Sequence, residues 1–169
     1  LILIIFLISD AIINQTLSSL PLIISLIYFL SWNWEPSKLF MGDTGSTFLG
    51  IYIPYLIIAS SSLSNGIALF IISSPIWLDA LSCLIRRLMS KQNIFQAHKK
   101  HIYQRLVQAG WSHKKVTITY SMISVGLSIS YILGDLKTLF IFFLLFIIFG
   151  IYLNNFKCYP FNLQLKRNL

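Results

Sequence analysis

The chain has 169 residues, of which 56% are hydrophobic and only 11% are charged. Soluble globular domains carry about 25% charged residues, so this composition excludes an ordinary soluble enzyme and indicates an integral membrane protein. The formal net charge is +8, and most of the cationic residues fall within one polar segment.

Six apolar segments, separated by polar or turn-forming residues, are the predicted membrane-spanning helices. In chain order they cover residues 1–9, 18–32, 46–63, 66–84, 116–133 and 138–153. A spanning helix needs roughly 20 apolar residues, so we expect the short first segment to be the end of a helix that starts upstream. The predicted fold is all-α: one polytopic transmembrane helix bundle over residues 1–169.

The longest polar connection, residues 85–115, holds eight of the thirteen cationic residues, which are Arg86, Arg87, Lys91, Lys99, Lys100, Arg105, Lys114 and Lys115. The positive-inside rule makes this loop cytoplasmic. Alternating the spans then places residues 33–45 and the C-terminal tail on the same side, which adds Lys38, Lys157, Lys166 and Arg167. We therefore expect two cytoplasmic loops, 33–45 and 85–115, that can meet.

The loop before the third span contains Gly42-Asp43-Thr44-Gly45-Ser46. One interpretation is a tight turn with a helix N-cap, in which glycines take positive φ and a polar side chain binds free N–H groups. The other is an anion site, because a helix N-terminus beside a carboxylate suits a phosphate bound together with Mg²⁺. The spacing is not that of a P-loop, since no Lys follows Gly45. A lone carboxylate seldom holds a catalytic magnesium, so we expect further ligands from elsewhere.

The second loop carries two histidines and an arginine within Ala97–Leu106. An ordinary positive-inside loop that touches lipid phosphates would explain its lysines. On a helical turn, His98 and His101 would share a face with Arg105, which suits a diphosphate or nucleotide because Arg binds phosphate oxygens bidentately. A zinc site is disfavoured, since His-x-x-His lacks the usual helical spacing and no thiol or carboxylate stands near it in the sequence.

Asp79 stands inside the predicted fourth span. A charged residue at mid-membrane costs roughly 2.5–3.5 kcal/mol on insertion scales, so its side chain is expected to face a partner. Arg86 lies two helical turns further on, and Asp79 either pairs with it or supports the basic loop. Cys83 and Cys158 are far apart in the sequence, so neither a disulfide nor a metal pair is expected.

These motifs resemble one known family, the polyprenyl-phosphate N-acetylhexosamine-1-phosphate transferases of glycosyltransferase family 4. The family includes phospho-N-acetylmuramoyl-pentapeptide transferase and undecaprenyl-phosphate N-acetylglucosamine-1-phosphate transferase. The similarity covers most of residues 32–120 in order, through Trp32–Lys38, Phe40–Ser46, Asp79, Arg86-Arg87, Ala97–Leu106, Gly110 and Ser112-His113.

The resemblance implies two catalytic residues, Asp43 and His101. Asp43 would also bind Mg²⁺, with Mn²⁺ as an alternative ion. Phe40 would stack on a uracil base, while Gly42 and Gly45 would let the backbone approach the substrate closely. The donor's diphosphate or nucleotide would contact His101 together with His98, Arg105, Arg86 and Arg87.

The implied reaction transfers a sugar 1-phosphate from a UDP-N-acetylhexosamine to polyprenyl (undecaprenyl) phosphate. It releases UMP and begins a cell-envelope glycan such as lipopolysaccharide O-antigen. The implied location is the bacterial inner membrane, with several spans and a cytoplasmic active site. Membrane lipid is an expected partner, a homodimer is an open alternative, and no nucleic acid is expected.

The sequence departs from the family pattern at two places. Tyr103 and Gln104 follow His101-Ile102, which resembles the O-antigen or capsule-initiating branch. The family's Asp-Asp pair and Asn-rich Asp-Gly segment, which precede the Gly-Asp-x-Gly loop, are not in this sequence. We therefore expect the C-terminal part of a longer enzyme, inactive by itself.

Two other functions stay open. A small transporter or channel subunit would use Asp79 and the basic loop as an anion path. It predicts ionisable residues in several spans and mirrored Gly or Pro interruptions, whereas among the predicted spans only the fourth holds such a residue. A non-catalytic membrane remnant would keep the fold without the chemistry.

Overall fold

A computed structural model describes residues 1–96 and 98–161, and within these ranges the chain forms helices and no strands. The α-helices are α1 (Ile2–Ile13), α2 (Leu20–Asn33), α3 (Gly42–Ile58), α4 (Leu63–Ile72), α5 (Ser74–Met89), α6 (Ile102–Gln108), α7 (His113–Ile132) and α8 (Leu136–Tyr152). A π-helical turn, Leu153–Lys157, continues α8. The all-α prediction is confirmed, and the predictions that involve Ala97, Lys166 and Arg167 lie outside the described residues.

Helix α4 lies at the centre of the bundle and contacts α1, α3, α5, α7 and α8. The largest fully buried apolar side chains of this core include Phe6, Leu7, Leu69, Ile72 and Leu139. Helix α7 packs on α1 through small residues, and the Ser9 hydroxyl donates to the Ser128 hydroxyl at 2.8 Å. Small side chains let two helix backbones approach closely, which favours this packing in lipid as well as in water.

The predicted span 66–84 is wrong as a single helix. It consists of α4 and α5, which meet at Ser73 with a bend of 63°. Pro75 stands at the start of α5 and has no N–H to donate to the carbonyl of Ile71, and its ring would clash with that carbonyl in a continuous helix. At the bend, the Ser73 hydroxyl donates to the Phe70 carbonyl at 2.8 Å.

Within the described residues, one helix is long and apolar enough to cross a membrane alone, the continuous run Leu136–Lys157. The bent pair α4–α5 adds a second if it counts as one span, while α1 and α2 are apolar but shorter. The other five predicted spans overlap α1, α2, α3, α7 and α8, but six separate crossings are not confirmed. Helix α8 exposes large apolar side chains, among them Ile141, Leu144 and Ile148, and a surface of this kind favours contact with lipid.

The connection between α2 and α3 is held by hydrogen bonds to its own start. The Trp32 carbonyl accepts from the N–H groups of Lys38 at 2.9 Å and Leu39 at 3.2 Å. The Asn33 side-chain amide donates to the Leu39 carbonyl at 2.7 Å. These bonds fold the connection back on α2 and leave the Phe40 ring 79% exposed immediately before Gly42 opens α3.

Gly42 has φ of +67°, a left-handed conformation, and an added Cβ would meet no atom within 4 Å. We expect Gly42→Ala to lower the stability of the protein in detergent by about 1–2 kcal/mol, because a residue with a Cβ is strained at this φ. Gly50→Ala is the matched control, since Gly50 lies in the interior of α3 and its added Cβ also meets no atom. There alanine should preserve or raise stability. Equal melting temperatures for the two variants would contradict the assigned backbone conformation.

Candidate functional site

The carboxylate of Asp79, on α5, caps the N-terminus of α6. It accepts hydrogen bonds from the backbone N–H groups of Ile102 at 2.7 Å and Tyr103 at 3.3 Å. The Tyr120 hydroxyl of α7 also donates to it at 3.3 Å. The side chain is only 7% exposed, so these donors replace the water that the carboxylate gives up. Asp79 therefore ties three helices together at one end of the bundle.

The predicted pairing of Asp79 with Arg86 is wrong. The carboxylate instead faces His101, with the Oδ1 of Asp79 and the Nδ1 of His101 3.9 Å apart. Arg86 donates to the side-chain oxygen of Asn154 in the π-helical turn. The reason is that α6 folds back on α5 and brings its free N–H groups to the carboxylate. The second interpretation of Asp79, a support for the basic loop, agrees with this geometry.

The two histidines lie side by side, although not on one helical face. His98 precedes α6 and His101 is its N-cap residue, so the predicted helical face with Arg105 is wrong. The His98 and His101 rings stack with centroids 5.2 Å apart, and His101 stacks on Tyr103 at 5.6 Å. Burial, followed by the charges of Arg87 and neighbouring cations, lowers the pKa of His98, which favours its neutral form.

Arg87, which the family resemblance implies as a substrate contact, is engaged by its own chain, and its role in substrate binding stays a prediction. The side chain is 3% exposed, and its guanidinium donates to the backbone carbonyls of Asn93, Ile94 and Gln96. Carbonyls in a loop that lacks regular structure need donors, and Arg87 supplies them. It therefore holds the connection after α5.

Arg105 is 4% exposed and is also engaged by its own chain. Its Nε donates to the Tyr159 carbonyl at 2.7 Å and its Nη1 to the Asn154 side chain at 2.7 Å. The Phe161 ring lies 5.5 Å from this guanidinium and 6.0 Å from that of Arg86. The C-terminal segment therefore covers two of the cations predicted to bind substrate, which remain predictions in that role. No sequence pattern pointed to Asn154, whose side-chain oxygen accepts from both Arg86 and Arg105.

A cavity of about 440 Å³ opens beside His101. Its polar lining includes Asp79, His101, Tyr103, Thr117 and Tyr120, and its apolar lining includes the first residues of the chain. The His101 side chain is 26% exposed, so an anion in this cavity could contact its imidazole. Burial and the Asp79 charge raise the pKa of Tyr103, so its hydroxyl stays a neutral donor.

A second cavity of about 400 Å³ lies between the α2–α3 connection and the start of α7. Its lining includes Glu35 and Phe40 from the connection, and His113 and Lys114 from α7. Leu1 and Thr117 line both cavities, so the two spaces adjoin. Phe40 also borders a groove of about 310 Å³ between α2 and α3, which is lined mostly by apolar side chains such as Leu26 and Phe29.

Asp43 lies exposed in the first turn of α3 and has no hydrogen-bond or ionic partner for its carboxylate among the described residues. Among the other acids, Asp79 caps α6, Asp135 caps α8, Asp10 is buried beside Asn14 and Glu35 lines the second cavity. The Asp43 carboxylate fits Mg²⁺ in the way this ion often binds, through one or two carboxylates together with substrate phosphates and water. Gly42 and Gly45 border this acid. An added Cβ at Gly45 would lie 2.7 Å from the Cγ of Met41, so close packing against Met41 explains a glycine there without any substrate contact.

Comparison with known proteins identifies a family. The sequence model of Glycosyl transferase family 4 matches residues 1–61. A protein of Bacillus subtilis named "Probable undecaprenyl-phosphate N-acetylglucosaminyl 1-phosphate transferase" is 40% identical over 137 residues, which cover 78% of this chain and 37% of that protein. The chain therefore spans little more than a third of this relative. No solved structure matches.

Two further relatives agree with this family. Phospho-N-acetylmuramoyl-pentapeptide-transferase of Kosmotoga olearia is 33% identical over 125 residues, covering 71% of this chain and 38% of that protein. Decaprenyl-phosphate N-acetylglucosaminephosphotransferase of Mycobacterium leprae is 30% identical over 112 residues, covering 56% of this chain and 27% of that protein. The family resemblance drawn from the motifs is confirmed.

The capping role of Asp79 can be tested by hydrogen exchange. Asp79→Ala removes the acceptor of two part-buried N–H groups of α6, and loss of such a cap costs about 0.5–2 kcal/mol, so amide protection across residues 98–108 should fall. Asp135→Ala is the control, because Asp135 caps α8 by accepting from the Thr138 N–H at 2.8 Å. That variant should lose protection only at the start of α8. Unchanged protection of residues 98–108 in Asp79→Ala would refute the capping role.

Proposed function

Because this chain belongs to glycosyl transferase family 4, we propose that it contributes to the transfer of a sugar 1-phosphate from a UDP-N-acetylhexosamine to polyprenyl phosphate. In this reaction an oxygen of the polyprenyl phosphate attacks the phosphorus that carries the sugar. The bond from that phosphorus to UMP breaks, and a lipid-linked diphosphosugar remains. The chain covers little more than a third of its relative from Bacillus subtilis, so the complete site is proposed for the whole protein.

The observation that carries this proposal is the adjacency of the two cavities. One is lined by Phe40 and the α2–α3 connection, the other by His101, and both share Thr117. A nucleotide sugar is long, with an aromatic base at one end and a diphosphate in the middle. Two adjoining spaces, one with an exposed aromatic ring and one with an imidazole, suit such a shape. In this arrangement Phe40 stacks on the uracil and His101 contacts the diphosphate.

Charge repulsion between an anionic donor and an anionic acceptor is the main physical obstacle to this reaction. The chain supplies positive charge at the border of the second cavity through Lys114, with His113 beside it. Such cations attract both substrates and stabilise the charge that develops on the departing UMP. Lys114 was not among the residues predicted to contact substrate, because a lysine in a basic loop has no sequence signal that distinguishes it.

We assign Asp43 as a Mg²⁺ ligand, with Mn²⁺ as an alternative ion. A bound divalent ion would neutralise charge on the substrate phosphates. The support is the exposed, unpartnered carboxylate in the first turn of α3, where the N-terminal N–H groups of a helix also favour phosphate. The remaining ligands would come from other parts of the whole protein, from substrate and from water.

The groove between α2 and α3 suits the lipid tail of the acceptor. It is lined by apolar residues of both helices and reaches Phe40 at its polar end. A prenyl chain is confined to the hydrocarbon layer, so its phosphate has to be met at the membrane border. We therefore propose a multi-pass protein of the bacterial inner membrane, in which the connections 33–45 and 85–115 both face the cytoplasm.

The role of Asp43 can be tested by transfer assays on membranes that contain the natural full-length protein. Asp43→Asn should lower Mg²⁺-dependent release of UMP by about 100-fold or more, because it removes the carboxylate charge that holds the divalent ion on the phosphates. Asp135→Asn is the matched control, since Asp135 is also an exposed acid at a helix start and caps α8. It should retain near-normal turnover.

Normal turnover in Asp43→Asn would remove this residue from the chemistry. A wild-type protein that inserts into membranes but transfers no sugar from any UDP-N-acetylhexosamine would favour the non-catalytic remnant.

A further inference from the structure

A thiol and two imidazoles converge at the junction of α5 and α6. Cys83 projects from α5, His98 lies in the connection, and His101 begins α6. One sulfur or nitrogen ligand atom from each residue lies within 4.8 Å of the other two. The Cys83 Sγ is 4.0 Å from the His98 Nδ1. The proposed sugar transfer makes no use of the thiol, and no sequence spacing places Cys83 near the histidines.

This group of donors matches a borderline transition metal. Sulfur and imidazole nitrogen are the ligands that Zn²⁺ prefers, and tetrahedral zinc binds them at about 2.3 Å and 2.0–2.1 Å. Donors at such bond lengths stand about 3.4–3.6 Å apart. The three atoms would therefore have to move inward by about 1 Å or less. His98 can make most of this adjustment, because it lies outside any helix.

Two neighbours favour metal binding. The Asp79 Oδ1 lies 3.9 Å from the Nδ1 of His101, so its negative charge favours a dication bound at this imidazole. The cavity beside His101 provides room for a fourth ligand from solvent. The expectation from sequence that no thiol or carboxylate stands near the histidines is thus wrong in three dimensions, because α6 folds back on α5.

We propose that Cys83, His98 and His101 form a binding site for Zn²⁺ or a similar transition-metal ion, with a solvent molecule in the fourth position. On binding, the Cys83 thiol releases its proton to solvent and both imidazoles bind in their neutral forms. No oxidation or reduction takes place. Where the proposed function also holds, the metal occupies the imidazole that the donor needs, so zinc and the UDP-sugar exclude each other.

The surrounding charge makes the site selective. Arg87 and Lys100 lie close to His98, and they oppose any dication. A hard ion such as Mg²⁺ gains little from sulfur or imidazole, so it cannot overcome this repulsion. An ion that binds thiolate strongly gains enough free energy to overcome this repulsion. The site is therefore expected to take Zn²⁺ and Co²⁺ and to ignore Mg²⁺, unlike Asp43.

The test uses the full chain purified in detergent, stripped of metal with a chelator and titrated with Co²⁺ in the absence of sugar substrates. Wild type should develop the near-ultraviolet absorption of a cobalt–thiolate bond at one equivalent. Excess Zn²⁺ should remove this band, and excess Mg²⁺ should not. X-ray absorption of the zinc-loaded protein should show one sulfur and two imidazole ligands.

Variants assign the ligands. Cys83→Ser should abolish the band, and Asp79→Asn should weaken Co²⁺ binding about 10-fold, because it removes a negative charge beside the bound dication. Cys158→Ser is the matched control, because that free thiol contacts the Ile102 carbonyl and is not part of the cluster. It should behave like wild type. Circular dichroism identifies any variant that fails to fold, and for such a variant the wild-type absorption data decide.

The proposal is overturned if wild type shows no thiolate band, or if the band survives Cys83→Ser and disappears in Cys158→Ser. Exclusion of the donor is measured separately on the natural full-length protein. Zn²⁺ should inhibit sugar transfer equally in wild type and Cys158→Ser, and should inhibit Cys83→Ser less, relative to the metal-free rate of each. If no sugar transfer occurs at all, the proposed function fails while the cobalt result still decides the metal site.

Discussion

The hydrogen bonds from the start of α6 to the Asp79 carboxylate are the interaction on which the arrangement of the site depends. A buried carboxylate needs donors, and a short helix in a polar loop needs an acceptor for its first N–H groups. The Asp79 carboxylate accepts from the N–H groups of Ile102 at 2.7 Å and Tyr103 at 3.3 Å, so the carboxylate and the helix start satisfy each other. Because α6 is held there, its N-cap residue His101 stands at the edge of a cavity, next to His98 and Cys83. The proposed donor contact and the proposed metal site both follow from this one placement.

The cations of the loop include a buried group and an exposed group. Arg87 and Arg105 are buried and bind carbonyl groups of their own chain, which gives structure to segments that lack regular backbone hydrogen bonding. Lys114 lines a cavity instead. Charge alone, which sets the orientation of a membrane protein, therefore does not indicate which cations meet a substrate. Burial distinguishes them, because Arg87 and Arg105 are buried whereas Lys114 is exposed.

The sequence was informative where a pattern acts locally. Apolar runs located most helices, and Gly42-Asp43 correctly marked a turn into a helix, since only glycine readily takes positive φ. Prediction from the sequence failed for contacts between residues that are distant in the chain. The bend at Pro75 divided one predicted span, and the partner of Asp79 was the backbone of α6 and not Arg86. No spacing rule joins Cys83 to His98, or Asn154 to Arg105, because these pairs form only when helices pack together.

The central claim is that the connections 33–45 and 85–115 border one site on one side of a membrane. Single cysteines at positions 37 and 103, each in a protein whose native Cys83 and Cys158 are serine, test it most directly, because Ser37 and Tyr103 are both exposed and line adjoining cavities. A membrane-impermeant maleimide should modify both positions from the cytoplasmic side of membrane vesicles, and a UDP-N-acetylhexosamine should protect both. Modification of the two positions from opposite sides would contradict the account.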